Sequence, residues 1–150
     1  MDLVDDAGSL LGSYPVSTSR FGLGSVPDSN FTPLGRFRVV EKIGHDAPER
    51  TIFSSRQVVG IWDGGEVPED LVLTRILWLE GLEAENANTF SRYIYIHGTN
   101  QETRIGRPAS HGCIRLTNAN VVELFDRVDI GTEVIIGDVP AGAFSSLDFV

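Results

Sequence analysis

The sequence predicts a mainly β protein, a sandwich or open barrel of short strands with one capping α-helix and short helical turns. Two observations predict it: short segments of alternating apolar and polar residues separated by turn residues, and a single segment with helical spacing. The chain has 150 residues, of which 41% are hydrophobic. That is enough to bury a core without disulfides or metal, so we expect residues 1–150 to form a single domain.

Alternation places the strands in order along the chain. A short strand is predicted at 10–17, followed by a Gly/Ser/Pro-rich loop through Asn30. Residues 35–40 predict a half-buried strand with Phe37 and Val39 facing inward. Further strands are predicted at 52–53, 57–62, 72–82, 92–97 and 133–136.

The helix is predicted after the last motif of the chain. Residues 117–120 offer an N-cap, and Gly131 marks a break beyond the helix. Apolar residues between them fall on one helical face: Val121, Val122, Leu124, Phe125 and Val128. At the other end, residues 3–6 resemble the tail of a strand that enters a turn at Ala7–Gly8, and a truncated N-terminus would explain why only this tail is present.

Charge and targeting signals limit the partners. The net charge is −9, with 21 acidic and 12 basic residues, and such a surface repels a phosphate backbone. We therefore expect no nucleic-acid partner. No apolar run approaches the ~20 residues of a membrane span, and the first residues lack the features of a signal peptide. As written, the sequence predicts a cytoplasmic protein.

The residues that point to chemistry lie between His97 and Arg115. The only cysteine, Cys113, stands in Ser-His-Gly-Cys-Ile-Arg, and His97 ends a predicted strand. A thiol attacks an amide carbonyl as thiolate, so a nearby imidazole must take its proton. Gly112 allows a tight turn before the nucleophile, and we expect its N–H to face a developing oxyanion.

Other chemistries are weaker for the same residues. His97, His111 and Cys113 are metal-ligand types, but the paired short spacing of zinc ligands is absent, so no metal or other cofactor is predicted. Ser110 lacks the Gly-x-Ser-x-Gly elbow of serine hydrolases. A buried, inert cysteine remains the ordinary alternative for a free thiol.

The run from His97 to Arg115 resembles the signature of the L,D-transpeptidase (YkuD-type) catalytic domain. The interval from histidine to cysteine, 113 − 97 = 16 positions, matches compact members. Residues 32–37 are similar to the family's Thr-Pro-x-Gly-x-Phe hairpin, and residues 105–108 and 117–136 resemble its later segments. The resemblance covers about residues 10–137 and implies the YkuD-type β-sandwich.

The resemblance implies a cysteine acyltransferase acting on peptidoglycan tetrapeptide stems. It implies that Cys113 releases the terminal D-Ala through a thioester, that His97 is the base, and that the carbonyl of Gly98 orients the imidazole. Gly112 and Cys113 N–H groups stabilise the oxyanion, and His111 shapes the pocket. The acceptor is a D-amino acid, a diamino-acid amine or water, and carbapenem-type β-lactams acylate the thiol.

Four further residues are candidates for substrate binding: Arg115, Arg107, Ser110 and Tyr95. Arg115 and Arg107 suit a clamp on a substrate carboxylate, because the guanidinium binds such groups through two parallel hydrogen bonds. The alternative for Arg115 is a surface ion pair with Glu123 or Asp126. Tyr93, Tyr95 and His97 are predicted to share one strand face.

Two alternatives to the transpeptidase stay open. One is a cytoplasmic L,D-carboxypeptidase that trims recycled muropeptides, which fits the absence of an export signal. The other is a catalytically silent peptidoglycan-binding domain, against which the presence of both His97 and Cys113 speaks. If the N-terminus is truncated, the resemblance implies a periplasmic or cell-wall protein instead.

Overall fold

A computed structural model describes residues 1–138 of the chain, so the last part of the predicted single domain, residues 139–150, lies outside the described residues. The predicted mainly β fold with one helix is confirmed. The strands are β1 (Asp2–Val4), β2 (Leu10–Ser13), β3 (Gly35–Ile43), β4 (Thr51–Ser54), β5 (Gln57–Ile61), β6 (Val72–Gly81), β7 (Tyr95–Gly98), β8 (Ile114–Leu116) and β9 (Glu133–Ile136). The α-helix is α1 (Asn118–Arg127), and short 3₁₀ turns occupy Ala84–Asn86 and Glu102–Arg104.

The long strand β6 organises the main sheet. It pairs antiparallel with β3 and β4 along one edge and with β7 along the other. β8 then pairs with β7 in parallel, while β5 and β9 extend the sheet beyond β4 and β3. The hairpin of β1 and β2 forms a separate two-stranded sheet. β7 and β8, the two strands next to the histidine and the cysteine, are therefore direct neighbours.

The sheet is covered on both faces. One face packs against α1 and carries the larger apolar core, which includes Leu77, Leu79, Ile96 and Ile114. The opposite face carries a smaller cluster of Phe53, Ile76, Trp78 and Tyr95, against which Cys113 packs. Each such buried side chain contributes about 1.5–3 kcal/mol relative to exposure.

The predicted elements agree with the structure where alternation or capping is clear. Phe37 and Val39 are 0% and 1% exposed, as the alternation predicts for β3. Thr117 caps α1, and its side-chain oxygen accepts a hydrogen bond from the Asn120 N–H at 3.2 Å. At the start of the chain, β1 pairs with β2 across a turn at residues 5–9.

Two local predictions are wrong. The strand predicted from residue 92 begins only at Tyr95, because Tyr93 adopts a left-handed backbone with φ of 58° and lies in a turn. Tyr93 is therefore exposed and does not share the strand face of Tyr95 and His97. The second correction is β8, a three-residue strand at a place where no strand is predicted from the sequence. Within residues 1–138, no helix has the length and apolar content that crossing a bilayer requires.

Candidate active site

The pairing of β7 with β8 brings the cysteine and the histidine to one face of the sheet. In the parallel register Ile96 lies beside Ile114 and His97 beside Arg115, so Cys113 precedes β8 at the level of Tyr95. Cys113 and Tyr95 pack in the smaller core, and His97 follows Tyr95 by two residues on that face. From strand spacing and rise, the Cα atoms of Cys113 and His97 are roughly 8 Å apart.

His97 is held as a neutral imidazole. Its side chain is buried, and Nδ1 lies 2.5 Å from the carbonyl oxygen of Gly98. A carbonyl only accepts, so Nδ1 carries the proton and Nε2 has the free lone pair. Burial lowers the pKa of the His97 imidazole, and the nearby Arg115 cation lowers it further. Gly98 is required here, because an added Cβ would lie 2.8 Å from the Leu73 carbonyl and closer still to Asn118.

Cys113 carries a protonated thiol in this state. Its Sγ accepts a hydrogen bond from the Tyr95 N–H at 3.3 Å and donates to the Tyr93 carbonyl at 3.4 Å. Burial raises the pKa of the thiol to about 11. Among residues 1–138 no hydrogen bond joins Sγ to the His97 ring. The site at rest therefore holds a neutral thiol and a neutral imidazole, not an ion pair.

The loop before Cys113 is fixed by hydroxyl groups. Ser110, a predicted substrate-binding residue, is 1% exposed, and its Oγ donates to the Cys113 carbonyl at 2.7 Å. The same Oγ accepts from the Gly112 N–H at 3.2 Å. The Gly112 N–H is thus engaged within the loop, and the expectation that it faces the oxyanion does not match this geometry. Cys113 N–H is left as the donor for that role.

Gly112 still matters for the shape of the loop. Its φ of +122° is a backbone conformation that favours glycine, and an added Cβ would lie 3.2 Å from the Phe31 carbonyl. The buried Thr32 donates to the Gly112 carbonyl at 3.0 Å and accepts from the Ser19 N–H at 2.9 Å. Thr32 belongs to the segment 32–37 that the sequence singled out only as a hairpin motif.

Arg115 is not placed as a substrate clamp. Its side chain is 0% exposed, whereas a clamp must reach a ligand. Nη1 forms an ion pair with Asp70 at 2.8 Å and also donates to Gln101, and Nη2 donates to Ser17. The alternative surface pair with Glu123 or Asp126 is not formed either. β8 ends the sheet beyond β7, but the segment at Ser17 bridges its outer edge. Asp70, Gln101 and Ser17 enclose the Arg115 guanidinium, and this burial explains both corrections.

Asp70 is a site residue that sequence reasoning missed. Besides Arg115, it accepts a hydrogen bond from Thr99 at 3.4 Å and faces Nδ1 of His111 at 3.9 Å. Its negative charge raises the pKa of both His97 and Cys113. Asp70 stands in a polar loop before β6, where no motif distinguishes it from the other acidic residues.

The remaining predicted residues differ in exposure. His111 is half exposed, and Nε2 accepts from Arg20 at 2.7 Å, so Nδ1–H points toward Asp70. Arg107 is exposed on the surface. Tyr95 is 8% exposed and packs edge-on against Trp78, with its hydroxyl accepting from Arg56 at 3.2 Å. Tyr95 therefore offers the site its backbone N–H, not its phenol.

Metal ligands do not converge in the part of the chain that the structure describes. No group of three His, Cys, Asp or Glu side chains lies close enough to hold an ion. A thiol and a neutral imidazole on one sheet face are the groups that nucleophilic attack by sulfur with proton transfer to imidazole requires.

Comparison with known proteins identifies the family. A family profile described as the L,D-transpeptidase catalytic domain (YkuD) matches residues 1–136. The chain belongs to this family. YqjB of Bacillus subtilis (strain 168), named as an L,D-transpeptidase, is 33% identical over 127 residues, which cover 85% of this chain and 60% of YqjB. YbiS of Escherichia coli (strain K12), also named as an L,D-transpeptidase, is 44% identical over 57 residues, which cover 38% of this chain and 19% of YbiS.

Solved structures of L,D-transpeptidases share the fold. The domain superimposes on the enzyme of Xylanimonas cellulosilytica with a TM-score of 0.55 at 21% identity, covering 89% of this chain and 53% of that chain. It matches L,D-transpeptidase 3 of Mycobacterium tuberculosis, in complex with a faropenem-derived adduct, with a TM-score of 0.52 at 21% identity. That match covers 85% of this chain and 52% of the other. This L,D-transpeptidase-family domain thus spans about half to three fifths of the longer proteins named here, apart from YbiS.

Proposed function

We propose that this domain is a cysteine acyltransferase of the L,D-transpeptidase type that acts on peptidoglycan tetrapeptide stems. The observation that carries the proposal is the shared sheet face of Cys113 and His97, with the imidazole oriented by the Gly98 carbonyl and its Nε2 free to accept a proton. Family membership supports the substrate class. The residues supply nucleophile, base and oxyanion donor without a cofactor.

Acylation begins from the neutral pair. The thiol turns from the Tyr93 carbonyl toward His97, whose Nε2 takes the Sγ proton as sulfur bonds to the carbonyl carbon before the terminal D-Ala. Catalytic hydrogen bonds are often long in the free enzyme and tighten with substrate, so direct contact at rest is not required. The Cys113 N–H stabilises the oxyanion, a role typically worth about 3 kcal/mol per donor.

Collapse of the tetrahedral intermediate breaks the carbon–nitrogen bond. The His97 imidazolium returns its proton to the departing D-Ala amine, and the acyl group remains on Sγ as a thioester. An acceptor amine or water then attacks the thioester carbonyl, His97 takes a proton from that nucleophile, and the carbon–sulfur bond breaks. The departing thiolate takes this proton back from the imidazolium, which restores the neutral pair. A stem amine gives a crosslink, a D-amino acid gives exchange, and water gives L,D-carboxypeptidase activity.

The test is incubation of the protein with a tetrapeptide stem, with and without a D-amino acid, followed by mass spectrometry. A thioester adduct on the intact protein and loss of D-Ala are expected for the native chain and absent from Cys113→Ala. An exchanged product marks the transpeptidase, loss of D-Ala alone marks the carboxypeptidase, and no change leaves a binding domain. Unchanged turnover in Cys113→Ala contradicts the mechanism.

β-Lactam acylation gives a second test of the same thiol. A solved relative contains a faropenem-derived adduct, and a strained lactam amide offers sulfur the same carbonyl chemistry. We expect a carbapenem to add its mass to the native chain but not to Cys113→Ala. Because Cys113 is the only cysteine of the sequence, the site of addition is unambiguous.

A further inference from the structure

A cavity of about 460 Å³ is lined in part by Tyr93, whose carbonyl contacts the thiol, and this cavity has no role in the mechanism above. Tyr93, Ile94 and His111 form the wall next to the cysteine, since Sγ contacts the Tyr93 carbonyl at 3.4 Å. Arg92 and Asp28 also line it. Its size falls within the ~300–1,000 Å³ of small-molecule sites. The cavity therefore offers room for a small ligand next to the acyl group.

Arg92 brings an uncompensated cation to this cavity. Its guanidinium donates to two backbone carbonyls, those of Phe31 at 2.6 Å and Gly24 at 3.4 Å. Among residues 1–138 no carboxylate forms an ion pair with it. Arginine has five N–H donors, so donors remain for a ligand. In a chain of net charge −9, an arginine that lines this cavity and forms no ion pair favours an anionic group.

Asp28 adds the opposite charge. It lines the same cavity as Arg92, although the two do not form an ion pair. Burial lowers the pKa of Arg92, and the negative charge of Asp28 opposes part of that shift. A ligand with a carboxylate alone would be repelled by Asp28, and one with an ammonium alone would be repelled by Arg92. A free α-amino acid carries both charges on one carbon and satisfies both side chains.

We propose that this cavity is a subsite for a free α-amino acid, in which Arg92 binds the α-carboxylate and Asp28 faces the ammonium group. The inference rests on the proposed function, in which such a molecule leaves as D-Ala and a D-amino acid enters as acceptor. Arg115, which sequence reasoning favoured as the carboxylate clamp, is committed to Asp70, and Arg92 takes that role.

Binding tests the subsite without turnover. In the Cys113→Ala background, NMR titration with millimolar D-alanine and N-acetyl-D-alanine measures each affinity. Arg92→Gln should weaken both ligands by about 10- to 100-fold, because hydrogen bonds to charged groups are lost. Asp28→Asn should weaken D-alanine but strengthen N-acetyl-D-alanine, which has no ammonium group. This change in opposite directions distinguishes a zwitterion site from a plain anion site.

Two control variants sharpen the result. Arg38→Gln removes an exposed arginine from β3 that pairs with Glu80, and it should leave both affinities unchanged. Arg107→Gln tests whether Arg107, which was predicted from the sequence to bind a substrate carboxylate, binds these ligands instead of Arg92. Equal affinities with and without Arg92, or a loss confined to Arg107→Gln, would overturn the inference.

Turnover then separates the two sources of the amino acid. In the native background, Arg92→Gln should raise the KM for labelled D-alanine in exchange and weaken D-alanine as a product inhibitor of hydrolysis. An effect on exchange alone assigns the subsite to the incoming amino acid, and an effect on inhibition alone assigns it to the departing one. If no thioester forms but D-alanine binding depends on Arg92, the proposed function fails while the subsite stands. If the thioester forms but D-alanine binding does not depend on Arg92, the proposed function stands while the subsite fails.

Discussion

The pKa of Cys113 gives the most direct test of the resting state. Burial raises it from an ordinary 9.0 to about 11. Near pH 8 this leaves about 0.1% of the protein as thiolate, against about 10% for an unperturbed thiol, a ratio of about 100. A more basic thiolate is also more nucleophilic, and this raises the rate constant of the thiolate about eightfold for an increase of two in the pKa. The expected alkylation rate is therefore about tenfold below that of a free thiol.

The assay follows iodoacetamide addition by intact mass between pH 6 and 10. The rate of the native protein should keep rising through the upper end of this range, while N-acetylcysteine, measured in parallel, begins to level off. Cys113→Ala gives the blank, since no other thiol is present. Asp70→Asn should move the rise to lower pH, because the Asp70 carboxylate raises the thiol pKa. A native rate that is level below pH 8 would refute the neutral pair and indicate a preformed thiolate.

Three further predictions concern single side chains. His97→Gln should slow thioester formation by about 100-fold or more in single-turnover mass spectrometry. A decrease in rate of less than threefold would show that the imidazole has a structural role only. Thr117→Ala should lower the free energy of unfolding by about 1 kcal/mol in urea titration, and an unchanged midpoint would contradict the cap. Gly112→Ala should lower the free energy of unfolding by about 1–3 kcal/mol because the position has a positive φ, and crowding against the Phe31 carbonyl should lower it further. The same variant should form the thioester more slowly. Gly106→Ala is the control, because Gly106 also has a positive φ but an added Cβ there would meet no neighbouring atom. An equal loss of unfolding free energy in the two variants would show that crowding at Gly112 contributes nothing.

The sequence was informative wherever one pattern determined one structure. Alternation in β3 gave the inward side of Phe37 and Val39, and the Thr117 cap gave the start of α1. The family signature pointed to the cysteine and the histidine, because both stand in a motif of fixed residue types. These features depend on neighbours in the chain, which a sequence displays directly.

The features that were missed depend on contacts between distant segments. Arg115 is buried because Asp70, Gln101 and Ser17 surround its guanidinium, and no local pattern joins these residues. Strand β8 has only three residues, too few for alternation to be recognised. Tyr93 adopts a left-handed backbone that an aromatic residue rarely takes, so the alternation there suggested a longer strand.

The parallel pairing of β7 with β8 has a consequence for how such sites diversify. Two parallel neighbours must be joined by a crossover of a dozen or more residues, and here that connection is the irregular segment between Gly98 and Cys113. The ladder of backbone hydrogen bonds, not this connection, sets the separation of imidazole and sulfur. Insertions or deletions in the segment can therefore reshape the surface around Cys113 and His97 while the reacting atoms keep their spacing.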